Sequence, residues 1–222
     1  MNNLLLLGSI IGIFTAVVGI KKFFGKEGLI GYMAVATILA EIGVVKSIDV
    51  LGLSATLGNV LFASNFLVTD ILTECYGEKE ARKGIKFAVF SVILFIIIMQ
   101  GMLLFVPNEL DFAQESMQTI FGLIPRISIA SIVMLTISNF VDVKLYAWLK
   151  KKTNGKYMWL RNNLSTILCN GLENFIFTFL CFSGIYSIQD MLMIATATTI
   201  IEIIIALCDT PFLYIGKKIK ER

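Results

Sequence analysis

Seven ionisable residues stand inside stretches of chain that are otherwise almost wholly apolar: Glu41, Asp70, Arg126, Asp142, Glu173, Glu202 and Asp209. A charge at the centre of a membrane-crossing helix costs at least about 2.5–3.5 kcal/mol on insertion scales unless it is paired, hydrated or near an end. Asp70, Asp142 and Asp209 lie toward one end of their stretches, where water or loop cations can meet them. Arg126 lies near the start of its stretch, from which a long side chain can snorkel outward. Glu173 and Glu202 stand near the middle of theirs, so a polar cavity or a buried pair is the expected setting. Asn170 precedes Glu173 by three positions, and Asn139 precedes Asp142 by the same spacing. Positions three apart share a helix face. An amide both donates and accepts, whereas an ionised carboxylate only accepts. Two such pairs on separate helices suit a ligand with several N–H donors, or else they bind helices to one another.

The elements that position these residues follow from composition. Of the 222 residues 57% are hydrophobic and 16% charged, and the mean hydropathy is +0.83. Soluble domains average about a quarter charged residues, so the fold class is an all-α, polytopic transmembrane bundle. The absence of histidine removes the commonest metal ligand and general base. The cysteines (Cys75, Cys169, Cys181 and Cys208) form no CxxC pair, which gives no support to a disulfide or zinc framework. No G-x-x-x-x-G-K-[ST] motif is present, so the chain does not hydrolyse ATP by a P-loop. An intramembrane enzyme using paired carboxylates such as Asp70 and Glu74 is a minor alternative; the chain is expected not to be an enzyme and to need neither metal nor cofactor.

Seven apolar segments, about 4–20, 29–45, 50–73, 85–106, 120–147, 164–184 and 188–215, form one integral membrane domain with six or seven spans. The first lacks a basic leader and an Ala-x-Ala cleavage site, so it reads as a helix rather than a signal peptide. Seventeen of the 19 basic residues fall after segments 1, 3, 5 and 7. Arginine and lysine mark cytoplasmic loops, which places the N-terminus outside and the C-terminus inside. The stretch 107–118 is acidic and long enough for a short amphipathic surface helix. The basic tail reads as a topological anchor, not a nucleic-acid site.

Three blocks of this sequence resemble the queuosine precursor transporters, also called the vitamin uptake transporter family. The first, FASNFLVTDILTECYGEKEAR (62–82), carries Phe66, Thr69, Asp70, Thr73, Glu74, Gly77, Ala81 and Arg82 at the family's positions. The second, 126–151, aligns Arg126, Ala130, Ser131 and Asp142; the third, 159–177, aligns Asn163, Ser165, Thr166, Phe175 and Phe177. DTPFLY (209–214) is similar to the family's last helix. Asn139 and Asn170 stand where glutamine is usual, and Glu173 stands for an aspartate.

The resemblance implies import of a 7-deazaguanine base or queuine for salvage into tRNA, at the cell membrane. It implies a substrate site of Asn139, Asp142, Asn170 and Glu173, with Asp70, Glu202 and Arg126 as further candidates and Phe175 among the rings available for stacking. A single carboxylate can accept the lactam N–H and exocyclic amine of such a base together, and a second can hold an aminomethyl ammonium. The expected partners are a purine-like small molecule and the lipid bilayer, with no direct nucleic-acid contact. A second copy of the chain, or an ATPase module that this chain would serve as substrate-binding subunit, are the alternatives left open.

Overall fold

The computed structural model describes residues 1–122, 124–184 and 186–219; the side chains of residues 47, 54, 55, 124–127, 135 and 182 lie outside the described set. The all-α expectation holds, with one addition, a short β-hairpin near the N-terminal third.

Helix α1 (Asn2–Val44) is broken at Gly25, whose φ of 60° and ψ of −148° belong to a region open essentially to glycine alone. The break reverses the chain. A straight helix of 43 residues would hold its ends about 65 Å apart. Instead Asn2 Nδ2 donates to Asp49 O at 3.0 Å and Leu51 N donates to Asn3 Oδ1 at 3.0 Å. The legs 2–24 and 26–44 therefore run antiparallel, matching the first two apolar segments, with Lys21, Lys22 and Lys26 at the bend.

Strands β1 (Ser47–Val50) and β2 (Leu53–Thr56) pair antiparallel, with Val50 opposite Leu53. Their two-residue turn uses positive φ at Leu51 (55°) and Gly52 (76°), the primed geometry that matches strand twist. The expected helical segment 50–73 thus begins with strand, and its helix starts only at Gly58. A short apolar run does not distinguish strand from helix by periodicity.

Helix α2 (Gly58–Cys75) is the centre of the bundle: every residue from Ala63 to Thr73 is buried. Its first turn lies so close to α1 that a Cβ on Gly58 would meet Ala40 O at 2.7 Å. Around it stand α3 (Glu78–Leu103), α5 (Ile124–Lys152) and α7 (Ile188–Lys218), with α6 (Met158–Phe182) between α5 and α7. The short α4 (Gln114–Phe121) is the surface helix expected at 107–118, displaced toward the C-terminus and tied to α3 by Gln100 Nε2, which donates to Phe121 O at 2.7 Å.

Among the described residues α1, α3, α5, α6 and α7 are long and apolar enough to cross a membrane. Helix α2 is not among them because it carries Asn59, Asn65, Asp70 and Glu74, which its neighbours shield from lipid. On α6 the polarity is inverted relative to a soluble protein. Leu164, Leu168, Leu172, Ile176 and Leu180 form an outward stripe, while Arg161, Asn162, Ser165, Thr166, Cys169, Asn170, Glu173 and Asn174 face inward. One end of the bundle carries the Lys and Arg clusters; the other carries the N-terminus and the hairpin.

Gly25→Ala is expected to lower stability by about 1–3 kcal/mol, seen as a lower midpoint of thermal unfolding in detergent. An unchanged midpoint would show that the bend does not require glycine.

Candidate functional site

A polar seam runs between α2, α5, α6 and α7, and it has three levels. At the basic end Glu74, in the last turn of α2, is the common partner of three helices. Its Oε2 accepts from Arg161 of α6 at 2.6 Å and lies 3.2 Å from Lys150 of α5, and its Oε1 accepts from Lys217 of α7 at 2.6 Å. Lys150 also donates to the Glu74 carbonyl at 3.0 Å. Arg161 is fully buried; it donates to Gly155 O and Lys156 O, and its guanidinium lies 5.3 Å from the Tyr146 ring. Burial alone would push the Glu74 carboxyl up, but the bonds from Lys217 and Arg161 and the charges of Arg161 and Lys150 outweigh it and hold the group below the ordinary carboxylate range.

One turn further in lie Asp70, Asp142 and Asp209, contributed by α2, α5 and α7, none more than 1% exposed. Asp142 and Asp209 are the carboxylates that act most strongly on Asp70. Asn162 Nδ2 donates to Asp209 Oδ1 at 2.6 Å. The hydroxyls of Ser165 and Thr69 lie beside Asp142, but Thr69 donates to Phe66 O at 2.9 Å and Ser165 to Asn162 O at 3.4 Å. Both oxygens of Asp70 and both of Asp142 are left without a hydrogen-bond donor.

The third level is deeper along α6. Glu173 lies beside Ser138 of α5 and within electrostatic reach of Glu202 of α7. Asn174 Nδ2 donates to Glu202 Oε2 at 2.7 Å. Glu173 Oε2 and both amide atoms of Asn170 are buried without partners. Asn139, fully buried, stands one turn before Asp142 on α5. Cys169 senses Asp142, Glu173 and Asp70 together, which places it between the two carboxylate groups.

The structure therefore brings together six of the eight candidate substrate-site residues, Asp70, Asp142, Asn139, Asn170, Glu173 and Glu202, and adds Asp209 to them. Phe175 is half-buried and lies about 200° around α6 from Glu173, on a different face from the carboxylate. The side chain of Arg126 lies outside the described residues. Glu41, at the opposite end, accepts from Ser128 Oγ at 3.1 Å and stands apart from the seam.

Several members were not legible in advance. Arg161 reads in the sequence as one more loop cation, yet it is the buried partner of Glu74. Its place on the face of Ser165 and Cys169, four and eight positions on, is the signal that separates it from Lys150–Lys152. Asn162 and Asn174 each sit beside a residue already marked, so helix-face arithmetic finds them once Asp209 and Glu202 are placed.

Chemically the seam offers buried carboxylate acceptors, amides with free donor and acceptor atoms, and one fixed guanidinium. Among the described residues no three His, Cys, Asp or Glu side chains group closely enough to hold a metal ion. A bundle with an apolar exterior and a buried polar seam defines the class: a multi-pass membrane protein whose polar groups are turned inward.

Comparison with known proteins agrees with that class. Residues 56–216 match the family described as "Putative vitamin uptake transporter", a match that spans every seam residue but Lys217. The chain is 37% identical over 206 residues to the "Probable queuosine precursor transporter" of Bacillus subtilis (strain 168), covering 92% of this chain and 90% of that protein. No solved structure matches. The chain belongs to the vitamin uptake transporter family and is a multi-pass membrane transporter.

Removing one member of a buried ion pair strands the other, at about 3–5 kcal/mol. Glu74→Gln should lower the unfolding midpoint accordingly, whereas Lys217→Gln, at a half-exposed cation, should cost at most about 1 kcal/mol. Because the Glu74 carboxyl is held low, its stabilising contribution is complete at neutral pH. It is lost as pH falls through that depressed value, below the ordinary 4.5. Acid titration of stability in wild type and Glu74→Gln checks this: the variant should lack that part of the loss.

Proposed function

We propose that this transporter imports a 7-deazaguanine precursor of queuosine (the 7-cyano or 7-aminomethyl base, or queuine) across the cell membrane. The N-terminus would lie outside and the C-terminus in the cytoplasm. The observation that carries the ligand class is the Asn170–Glu173 pair, whose buried amide and carboxylate oxygen have no protein partner. A deazaguanine edge presents a carbonyl acceptor beside a lactam N–H and an amine, the complement of one amide and one carboxylate. The name of the Bacillus subtilis relative supports the same ligand.

In this reading Asn170 and Glu173 of α6 take the base edge. Asn139 of α5 and Glu202 of α7 flank them, and Asp142 and Asp70 border the site on its basic side. The apolar walls come from the same helices, which suits a flat solute oriented by few polar contacts. Phe175 has no place in this site, since it faces elsewhere on α6.

The orientation rests on charge. Seventeen of the 19 basic residues lie in the sequence at or near the bend of α1, the α2–α3 turn, the α5–α6 connection and the C-terminal tail, and the bend, the turn, the connection and the end of α7 gather at one end of the bundle. With α1 folded on itself and α2 enclosed, seven helical legs run between the two ends among the described residues, an odd number consistent with opposite sides for the termini.

The test is uptake of labelled precursor by cells that cannot synthesise queuosine. A hydrogen bond to a charged group contributes about 1.5–3 kcal/mol, so Glu173→Gln should weaken apparent affinity by about tenfold or more, and Asn170→Ala should act in the same direction. Normal uptake by both variants would place the ligand elsewhere.

A further inference from the structure

The Asp70, Asp142 and Asp209 group is not explained by holding a base edge. All three are buried, from three different helices, and each lies within electrostatic reach of another of the three. Two of them have no donor on either oxygen.

The charged and titratable groups around them are accounted for element by element. On α2, Glu74 is engaged by Arg161, Lys150 and Lys217. On α5, Tyr146 leans toward Glu74 at 3.4 Å and Lys150 is committed there. On α6, Arg161 acts on Asp70 at a distance, but its bonds go to Glu74 and to two backbone carbonyls; Cys169 is the other titratable group. On α7, Lys217 belongs to Glu74, and Cys208 adjoins Asp209. On α1, Lys21 donates to Gly216 O at 2.6 Å and to Cys75 Sγ at 3.0 Å; on α3, which packs against α2 and α5, Arg82 bonds Glu78, and Glu80 lies 3.5 Å from Lys26. No cation on this roster bonds directly to any of the three aspartates.

Three ionised carboxylates enclosed together would be like charges without solvation, which a protein interior does not sustain. A proton removes one charge and turns one acceptor into a donor for its neighbour. The polar atoms beside the group are also buried and unpartnered: Thr73 Oγ1 one turn from Asp70, and Asn162 Oδ1 on the amide that holds Asp209. A proton needs only one carboxylate oxygen that no donor occupies, and Asp70 and Asp142 each offer two.

We propose that Asp70, Asp142 and Asp209 form a proton-carrying site that couples solute movement to a proton gradient. The inference rests on the chain being a transporter of the kind proposed above. An aspartate takes a proton from the higher-proton side, forming its O–H bond. It releases that proton on the other side as the seam is exposed there: the O–H bond breaks and the carboxylate regains its negative charge. Asp142 links the two functions, being one turn from Asn139 and acting with Glu173 on Cys169 between them.

The experiment uses full-length protein in proteoliposomes with radiolabelled 7-cyano-7-deazaguanine, an uncharged probe. Exchange of label for internal unlabelled base needs no gradient, so failure of wild type to exchange overturns the proposed substrate rather than the proton site. With exchange present, an inward proton gradient should drive wild type to accumulate label above equilibrium, with acidification of an internal pH dye. Asp209→Asn keeps the acceptor for Asn162 and lies outside the proposed base-binding residues. It should exchange label yet accumulate none above equilibrium. Exchange without any response to the proton gradient, accumulation driven by sodium instead, or proton-driven accumulation retained in Asp209→Asn would each overturn the proposal. Should Asp209→Asn fail to fold, the wild-type dye signal alone decides: no acidification on solute entry refutes coupling.

Discussion

Four helices of this bundle are held in register by one carboxylate. Glu74 ends the central helix and is met by Arg161, Lys150 and Lys217 from three others. Such a group adds little net stability over a well-packed apolar substitute, because desolvation offsets attraction, but it is intolerant of misalignment: a helix displaced by one turn strands a buried charge. Asp70 stands one turn from Glu74 on α2, Asp209 two turns from Lys217 on α7, and Asp142 two turns from Lys150 on α5. The ionic junction at the basic end therefore sets which residues meet further inside, and the aspartate group is its geometric consequence.

The rest of the seam is made possible by how polarity is divided among helices. Helix α6 can carry eight inward polar residues because its opposite face is an unbroken aliphatic stripe from Leu164 to Leu180. Helix α2 has no such stripe and no need of one, since α1, α3, α5 and α7 surround it. Its low apolarity, which sets it apart from the five helices suited to contact lipid, reflects complete enclosure. Its apolar residues instead join those of α1 and α3 in the core around Phe14, Leu29, Met33, Leu67, Ile71 and Ile85. One flank of α2 is thus packed by dispersion and the other by polar contacts, several of them unpaired.

How much of this the sequence carried depended on contrast. An Asp or Glu within an aliphatic run is conspicuous, so Asp70, Asp142, Glu173 and Glu202 were identifiable, and three-residue spacing placed Asn139 and Asn170 beside them. Arg161 and Lys21 were harder to find, because they sit among basic residues, and only the helix face each occupies, not its neighbours in the chain, separates a buried cation from a solvated one. Lys21 is 3% exposed and caps the end of α7, while Lys22 beside it is exposed. The division of α1 was legible from the Lys21–Lys26 interruption. The hairpin at 47–56 was not, since its apolar letters continue those of the following helix. Phe175 shows a related limit: an aromatic near a carboxylate in sequence need not share its helix face.

The junction at Glu74 also bears on how the seam can open. Apolar closure holds until surfaces separate, with little dependence on the first water to arrive. An ionic closure behaves differently: effective permittivity rises from protein-like values toward about 80 as water enters, and the attraction between paired charges falls severalfold. Partial hydration of Glu74 and its cations thus weakens the contact that kept water out, which makes opening at the basic end cooperative. Lys217 and Lys150 are partly exposed while Arg161 is sealed, so water reaches the two lysines and not the arginine. Beyond Arg161 lies the aspartate group, which would meet water only after the junction has loosened. The same carboxylate that fixes the register of the bundle thereby stands, with Arg161, between solvent at the basic end and the aspartate group.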